Sequence, residues 1–184
     1  MIQQEQVQVE KQVEKKTIPI KIEKIVLNIG AVAEDLEKGF KLLKLISEAT
    51  PVKTKSTKRI PAFGVRPGLE TGCKVTLRKK KIEILKRLFV SVDNTIKENQ
   101  IQDNHFSFGI HEYIEIPGIE YQREIGIMGF DVTVVFSKPG KRVMYKKMKK
   151  GKFPKRQYVT KQEIIDYLKQ TYKLNIIPSR RKKK

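Results

Sequence analysis

The chain has 184 residues, with 40 Lys and Arg against 20 Asp and Glu, for a formal net charge of +20. A single cysteine, Cys73, excludes an intrachain disulfide scaffold, no run approaches the roughly eighteen apolar residues of a membrane span, and the opening MIQQEQVQVEKQVEKK lacks the apolar core of a secretory leader. The expectation is a soluble cytoplasmic protein whose partner is a polyanion.

Residues 1–17, rich in Gln, Glu, Lys and Val, read as an N-terminal extension. In IPIKIEKIVLNI (18–29), Ile20 and Ile22 alternate, then Ile25, Leu27 and Ile29. The slip in phase at Glu23-Lys24 predicts a bulged strand. Leu36, Phe40, Leu43 and Ile46 form one stripe and predict a helix over 35–49, ended by Thr50-Pro51. VKTKST (52–57) and KVTLRK (74–79) alternate as two hairpin strands. Between them RIPAFGVRPGLETG (59–72), with two prolines and three glycines, predicts a protruding loop.

Ile82, Leu85, Phe89, Val92 and Ile96 predict a second helix over 81–98. FSFGIHEYIEI (106–116) predicts a strand with Phe106, Phe108, Ile110, Ile114 and Ile116 on one face, closed by Pro117-Gly118. IMGFDVTVVF (127–136) predicts another, and Lys138-Pro139-Gly140-Lys141 turns the chain out of the sheet. The order of elements predicts an α+β fold for 18–137. It is a mostly antiparallel sheet with helices on one face, a ferredoxin-like or RRM-like split β-α-β core extended by one strand. Residues 138–184 read as a basic segment with Tyr145, Phe153 and Tyr158 interleaved and a short helix at about 161–173. Thr160 and Glu163 form a capping-box pattern at its start.

Charge is clustered. Residues 51–81 carry a net +9 and residues 138–184 a net +16, while the rest of the chain carries −5. Such a map points to a nucleic-acid footprint rather than to a solubility device. Lys53 and Lys55 share one strand face, and Lys74 and Arg78 share another. A register that brings them together would make a ladder of four cations, whose mutual repulsion a phosphate backbone relieves; a solvated lysine face is the plainer alternative. The aromatics of the C-terminal segment either stack on unpaired bases or pack its helix onto the body.

Catalytic patterns fail on spacing. GLETGCK has three residues between its glycines where a P-loop needs four, and Val75 stands where Ser or Thr would hold magnesium. His105 and His111 lack metal-ligand spacing. Cys73 beside Lys74 could have a lowered pKa, but sequence shows no dedicated base. No enzyme activity, no cofactor and no small-molecule substrate are expected. A nuclease would need clustered carboxylates, and a free RRM-like module would show clustered exposed aromatics on its central strands. The sequence offers neither.

Several ordered motifs carry a resemblance: Leu27-Asn28-Ile29-Gly30, Lys53-Thr54-Lys55-Ser56, Phe63-Gly64-Val65-Arg66 with Gly68, Gly72-Cys73-Lys74-Val75-Thr76-Leu77-Arg78, Phe106-Ser107-Phe108-Gly109-Ile110, Ile116-Pro117-Gly118-Ile119 and Gly126-Ile127-Met128-Gly129-Phe130-Asp131-Val132. From about 18 to 143 the chain resembles the ribosomal protein L-five family, whose members bind 5S rRNA. Its ending, Val159-Thr160-Lys161-Gln162-Glu163, is similar to the archaeal and eukaryotic branch. The resemblance implies a place in the central protuberance of the large subunit, in contact with 5S rRNA and large-subunit rRNA. It assigns rRNA contacts to Asn28, Lys53, Thr54, Lys55, Ser56, Lys58, Lys74, Thr76 and Arg78. It also implies that the loop from Pro61 to Leu69, through Pro61, Phe63, Gly64, Val65, Arg66 and Gly68, reaches P-site tRNA. A bridge to a small-subunit head protein of the uS-thirteen type would use outer loops of the second half. No membrane partner and no homo-oligomer within the ribosome are implied.

Overall fold

The computed structural model describes residues 19–78 and 82–178. The 1–17 extension, Lys79–Lys81 and the SRRKKK tail lie outside the described residues. Strand β1 (Lys21–Gly30) buries Ile25, Leu27 and Ile29, and its register slips between Ile22 and Lys24, at the bulge that the phase change predicts. Helix α1 (Glu34–Ser47) has Glu34, Asp35 and Glu37 in its first turn, where they complement the helix dipole. It buries Leu36, Leu42, Leu43 and Ile46, and Glu48 ends it in the left-handed region, its N–H donating to the Lys44 carbonyl.

Strands β2 (Val52–Lys55) and β3 (Glu70–Leu77) then form the predicted hairpin, with β3 starting four residues earlier than its alternation suggests. Helix α2 (Ile84–Val90) is much shorter than the expected 81–98. Asp93 and Asn94 take φ values of 50° and 52°, and the Asn94 N–H returns to the Phe89 carbonyl at 2.9 Å. That turn ends the helix, because Asp and Asn tolerate the left-handed conformation. Ile96 therefore lies not on a helix but in β4 (Thr95–Lys97), whose parallel partner lies near the chain's end.

The two-residue β5 (Ile101–Gln102), which sequence did not suggest, pairs with β6 (His105–Ile110). Strand β6 stops six residues short of the expected 116. The Tyr113–Glu115 turn rotates the chain, so Tyr113 and Ile116 are buried while Ile114 faces out. Gly129 passes 2.6 Å, measured from a built Cβ, from the carbonyl oxygens of Ile110 and His111, an approach that only glycine permits. Strand β7 (Phe130–Ser137) follows, then the short α3 (Arg142–Tyr145), α4 (Lys161–Tyr172) and β8 (Asn175–Ile177), the partner of β4. The Thr160–Glu163 capping box forms as predicted: the Glu163 N–H donates to Thr160 Oγ1 and the Thr160 N–H donates to Glu163 Oε2.

The main sheet runs β2-β3-β1-β7-β6-β5, antiparallel throughout. β1 and β2 lie in the same direction with β3 between them, which is the split β-α-β arrangement, and β6 and β5 extend it beyond β7. One face of the sheet, with Leu27, Val75, Val132, Val134, Phe106 and Phe136, is buried under α1, α2 and α4. Tyr167 of α4 meets Phe136 edge-on at 5.5 Å and Tyr172 meets Phe89 at 5.1 Å, so the C-terminal helix joins the same core. Among the described residues no helix covers the opposite face.

Candidate nucleic-acid interface

The register decides which side chains share the helix-free face. Lys74 of β3 sits opposite Val52 of β2 and Asn28 of β1, and Asn28 sits opposite Asp131 of β7. One step along, Thr76 faces Val26 and Val26 faces Thr133. Because side chains alternate with period two, Thr54, Asn28, Lys74, Thr76 and Arg78 all point away from the core. Lys74, Thr76 and Arg78 are exposed. The far half of this face is a shallow depression of about 710 Å³ whose wall includes Lys24, Asn28, Ser107, Asp131 and Thr133. Sequence reasoning missed Lys24, Ser107 and Thr133, although polar residues at alternate positions in otherwise apolar strands were the available signal.

The expected ladder of four cations does not form. Lys53 sits opposite Cys73, on the helix side of the hairpin, whereas Lys74 sits opposite the exposed Val52. Lys53 Nζ binds the carboxylate of Glu37 on α1 and lies 3.5 Å from Glu70. It also rests over the Phe40 ring, 5.8 Å from its centroid. The hydrogen bond to Glu37 raises its pKa, against a smaller lowering from burial. Hydrophobic alternation would turn Val52 inward and Lys53 outward; the acids of α1 and β3 reverse that choice. Lys55 follows a register shift, stands opposite Glu70 and is exposed.

Hydroxyls shape the base of the loop. Thr54 Oγ1 donates to the Gly72 carbonyl at 3.0 Å, and Ser56 Oγ donates to the Lys58 carbonyl at 2.8 Å. A Cβ on Gly72 would stand 2.9 Å from the Ile29 carbonyl oxygen, so glycine lets β1, β2 and β3 meet here. Beyond that point the loop is a small hairpin of its own. Ser56 exchanges backbone bonds with Gly68 and Leu69, and Ile60 with Val65. Pro61–Phe63 form one 3-10 turn that Gly64 ends at φ 62°, and Gly68 bends the return at φ 87°. Val65 is buried, whereas Phe63 is 75% exposed at the tip, flanked by the exposed Pro61, Gly64 and Arg66.

Unpaired cations mark the surface. Among the described residues, lysine ammonium groups make ion pairs at Lys38, Lys41, Lys53, Lys138, Lys141 and Lys161. Lys55, Lys58, Arg59, Arg66, Lys74 and Arg78 are exposed and make none. A cluster of uncompensated charge on one surface favours a phosphate backbone, which would release its counterions on binding.

The remaining chemistry is absent or engaged elsewhere. Cys73 is fully buried, and burial raises its pKa, so Lys74 does not make it a reactive thiolate. Among the described residues no His, Cys, Asp and Glu cluster suits a metal, and no helix is long and apolar enough to cross a membrane. Among the described residues the strands place no aromatic side chain on the helix-free face, unlike an RRM; Phe106, Phe108 and Phe136 stack in the core. Of the C-terminal aromatics, Phe153 and Tyr158 stack on each other at 5.8 Å, and Tyr145 remains 65% exposed.

Family models match both halves of the chain. Residues 18–66 match the model described as ribosomal protein L5, and residues 70–167 match the model for the C-terminus of the same ribosomal family. The chain is 42% identical to the large ribosomal subunit protein uL5 of Nanoarchaeum equitans, over 86% of this chain and 96% of the relative. It is 38% identical to the protein of that name from Sulfolobus acidocaldarius (85% and 90%) and 41% identical to that from Pyrobaculum aerophilum (80% and 85%). The motifs, the split β-α-β sheet and these matches converge: the chain belongs to the ribosomal protein L5 family.

Proposed function

We infer that the chain is a structural constituent of the large ribosomal subunit that grips 5S rRNA with the helix-free face of its sheet. The observation that carries this reading is the row of Asn28 beside Lys74, continued by Thr76 and Arg78, on a face where neither cation has an acid partner. Asn and Thr side chains donate to phosphate and sugar oxygens, and Lys and Arg neutralise phosphates. Lys55 and Lys58 extend the grip along the edge, Thr54 and Ser56 hold that edge in shape, and Lys53 acts within the protein by tying the hairpin to α1.

The loop beyond Ser56 reaches a second RNA, the P-site tRNA. Its support is the resemblance, together with the exposed Phe63 and Arg66 on a self-braced tip. Large-subunit rRNA is the third RNA partner. Ile114, Tyr121 and Ile127, exposed in the connection between β6 and β7, supply the apolar surface for a bridge to the small-subunit head. No membrane, cofactor or self-association enters this role.

The test is binding of the full chain to 5S rRNA and to an unrelated RNA of equal length at about 150 mM salt, where non-specific affinity is weak. Clear preference for 5S rRNA is expected, and equal affinity would sink the reading. Replacing Ile60–Arg66 by a short turn should leave 5S rRNA binding intact and weaken tRNA binding in reconstituted subunits.

A further inference from the structure

The loop and the segment after β7 lie at opposite ends of the sheet. Gly30, the last residue of β1, pairs with Gly72 beside the loop, while Lys21, the first, pairs with Ser137, from which the C-terminal segment departs. Ten residues of strand separate these ends by roughly 30 Å. The cations of β3 run along this length, from Lys74 opposite Asn28 to Arg78 just past Leu77, which stands opposite Ile25.

The segment after β7 is folded and clasped to the body. Glu23, at the β1 bulge, binds Lys141 Nζ with one carboxylate oxygen and accepts from the Tyr145 hydroxyl at 3.2 Å with the other. The Gly151 N–H closes the loop on the Val143 carbonyl at 3.2 Å, and a Cβ there would meet only Val143 Cγ1, at 2.7 Å. Lys138 anchors the far side through Glu163 and the Tyr158 carbonyl. This clasp leaves the Tyr145 ring exposed beside Met148, which is 80% exposed. With Arg142, Lys146 and Lys147 they line an open depression of about 530 Å³. Among the described residues none of those three cations has an acid partner, and Lys149, Lys150 and Lys152 beside them have none either.

An aromatic ring and a thioether held within a ring of uncompensated cations fit a nucleobase whose own phosphates face the lysines. We propose that Arg142–Met148 form a second RNA site, which holds an unpaired nucleotide of an RNA segment distinct from the one on the sheet face. The protein then joins two RNA segments. The proposal rests on the reading of the chain as an RNA-binding protein and adds a place, a ligand geometry and an independent mode.

The probe is a single-stranded adenosine–cytidine repeat RNA of about 12 nucleotides, offered to the full chain with and without saturating 5S rRNA. Tyr145→Ala with Met148→Ala should weaken probe binding about tenfold, the scale of one lost base stack, and leave 5S rRNA affinity within about threefold. Tyr145→Phe, which keeps the ring and loses the bond to Glu23, should retain most of the probe binding. Lys146→Glu with Lys147→Glu, at two exposed positions away from the core, should reproduce the loss with an unchanged circular dichroism spectrum. Probe bound on top of saturating 5S rRNA supports two sites. Full competition between the two RNAs, or parental probe affinity in both double variants, overturns the proposal. Binding of anionic phosphatidylserine vesicles through Tyr145 and Met148 with no probe binding also overturns it, in favour of a membrane surface. Failure to bind 5S rRNA as well would instead remove the reading on which the proposal rests.

Discussion

The β2-β3 hairpin and the segment after β7 are both cationic and are built by opposite means. At the hairpin, strand alternation presents Lys74, Thr76 and Arg78 at fixed intervals on a flat, aromatic-free face. After β7 there is no regular lattice; acids of the body, Glu23 and Glu163, hold Lys141 and Lys138 so that the remaining cations and Tyr145 project. Burial opposes the ionisation of Glu163, yet the Lys138 ammonium and the Thr160 N–H together hold its carboxyl below the usual range. A regular face reads a backbone at repeated spacing, whereas an irregular clasp can offer one ring to one base. A positive net charge thus says little about the kind of contact; the supporting backbone decides it.

The strongest way to break the comparison is charge reversal. Lys74→Glu with Arg78→Glu should lower 5S rRNA affinity on the order of a hundredfold at about 150 mM salt and reduce the slope of log affinity against log salt by about two. Filter binding across a salt series measures both. A fall matched by Lys146→Glu with Lys147→Glu would erase the distinction between the two ends.

A smaller effect separates the two glycines. Gly72→Ala sets a Cβ against the backbone of β1 and should cost about 1–3 kcal/mol in denaturant unfolding. Gly151→Ala meets only the side chain of the part-exposed Val143, which can turn away, and should cost under about 1 kcal/mol. Equal costs would mean that the clasped segment is as rigid as the sheet. The smallest effect should come from Lys53→Ala. Its charge already serves Glu37 and Glu70, so 5S rRNA affinity should change less than about threefold, the scale of an exposed pair. A loss as large as that of Lys74→Ala would return Lys53 to the RNA face.

Local features were legible in the sequence because their causes are local. The β1 bulge shows as a phase slip, α1 as a stripe, although Glu48 ends it before Thr50-Pro51, and the start of α4 as Thr160 with Glu163. What was misread depends on distant partners. Ile82 to Ile96 keeps helical spacing, but Asp93-Asn94 turns the chain and β8, some eighty residues on, recruits Ile96 into a parallel pair. Strand β5 is too short to show a period and exists only against β6. The same limit governs the site. The spacing of Lys53 and Lys55 says that they belong together, but which way they face depends on Glu37, sixteen residues away on another element. The position of Tyr145 likewise follows from Glu23, more than a hundred residues upstream, while Phe153 and Tyr158 stack on each other.

The central place of β1 has a consequence for how the protein is made. Its neighbour β7 is synthesised more than a hundred residues later, since Asn28 pairs with Asp131. At about 5–20 residues per second, one edge of this central strand waits roughly 5–20 s for its partner. During that interval Ile25, Leu27 and Ile29 can find only α1 and β3, and an unpaired strand edge invites pairing with other chains. The nascent chain is therefore most vulnerable to aggregation between the completion of the hairpin and the arrival of Phe130–Ser137, a window in which a chaperone acting on β1 would have its greatest effect.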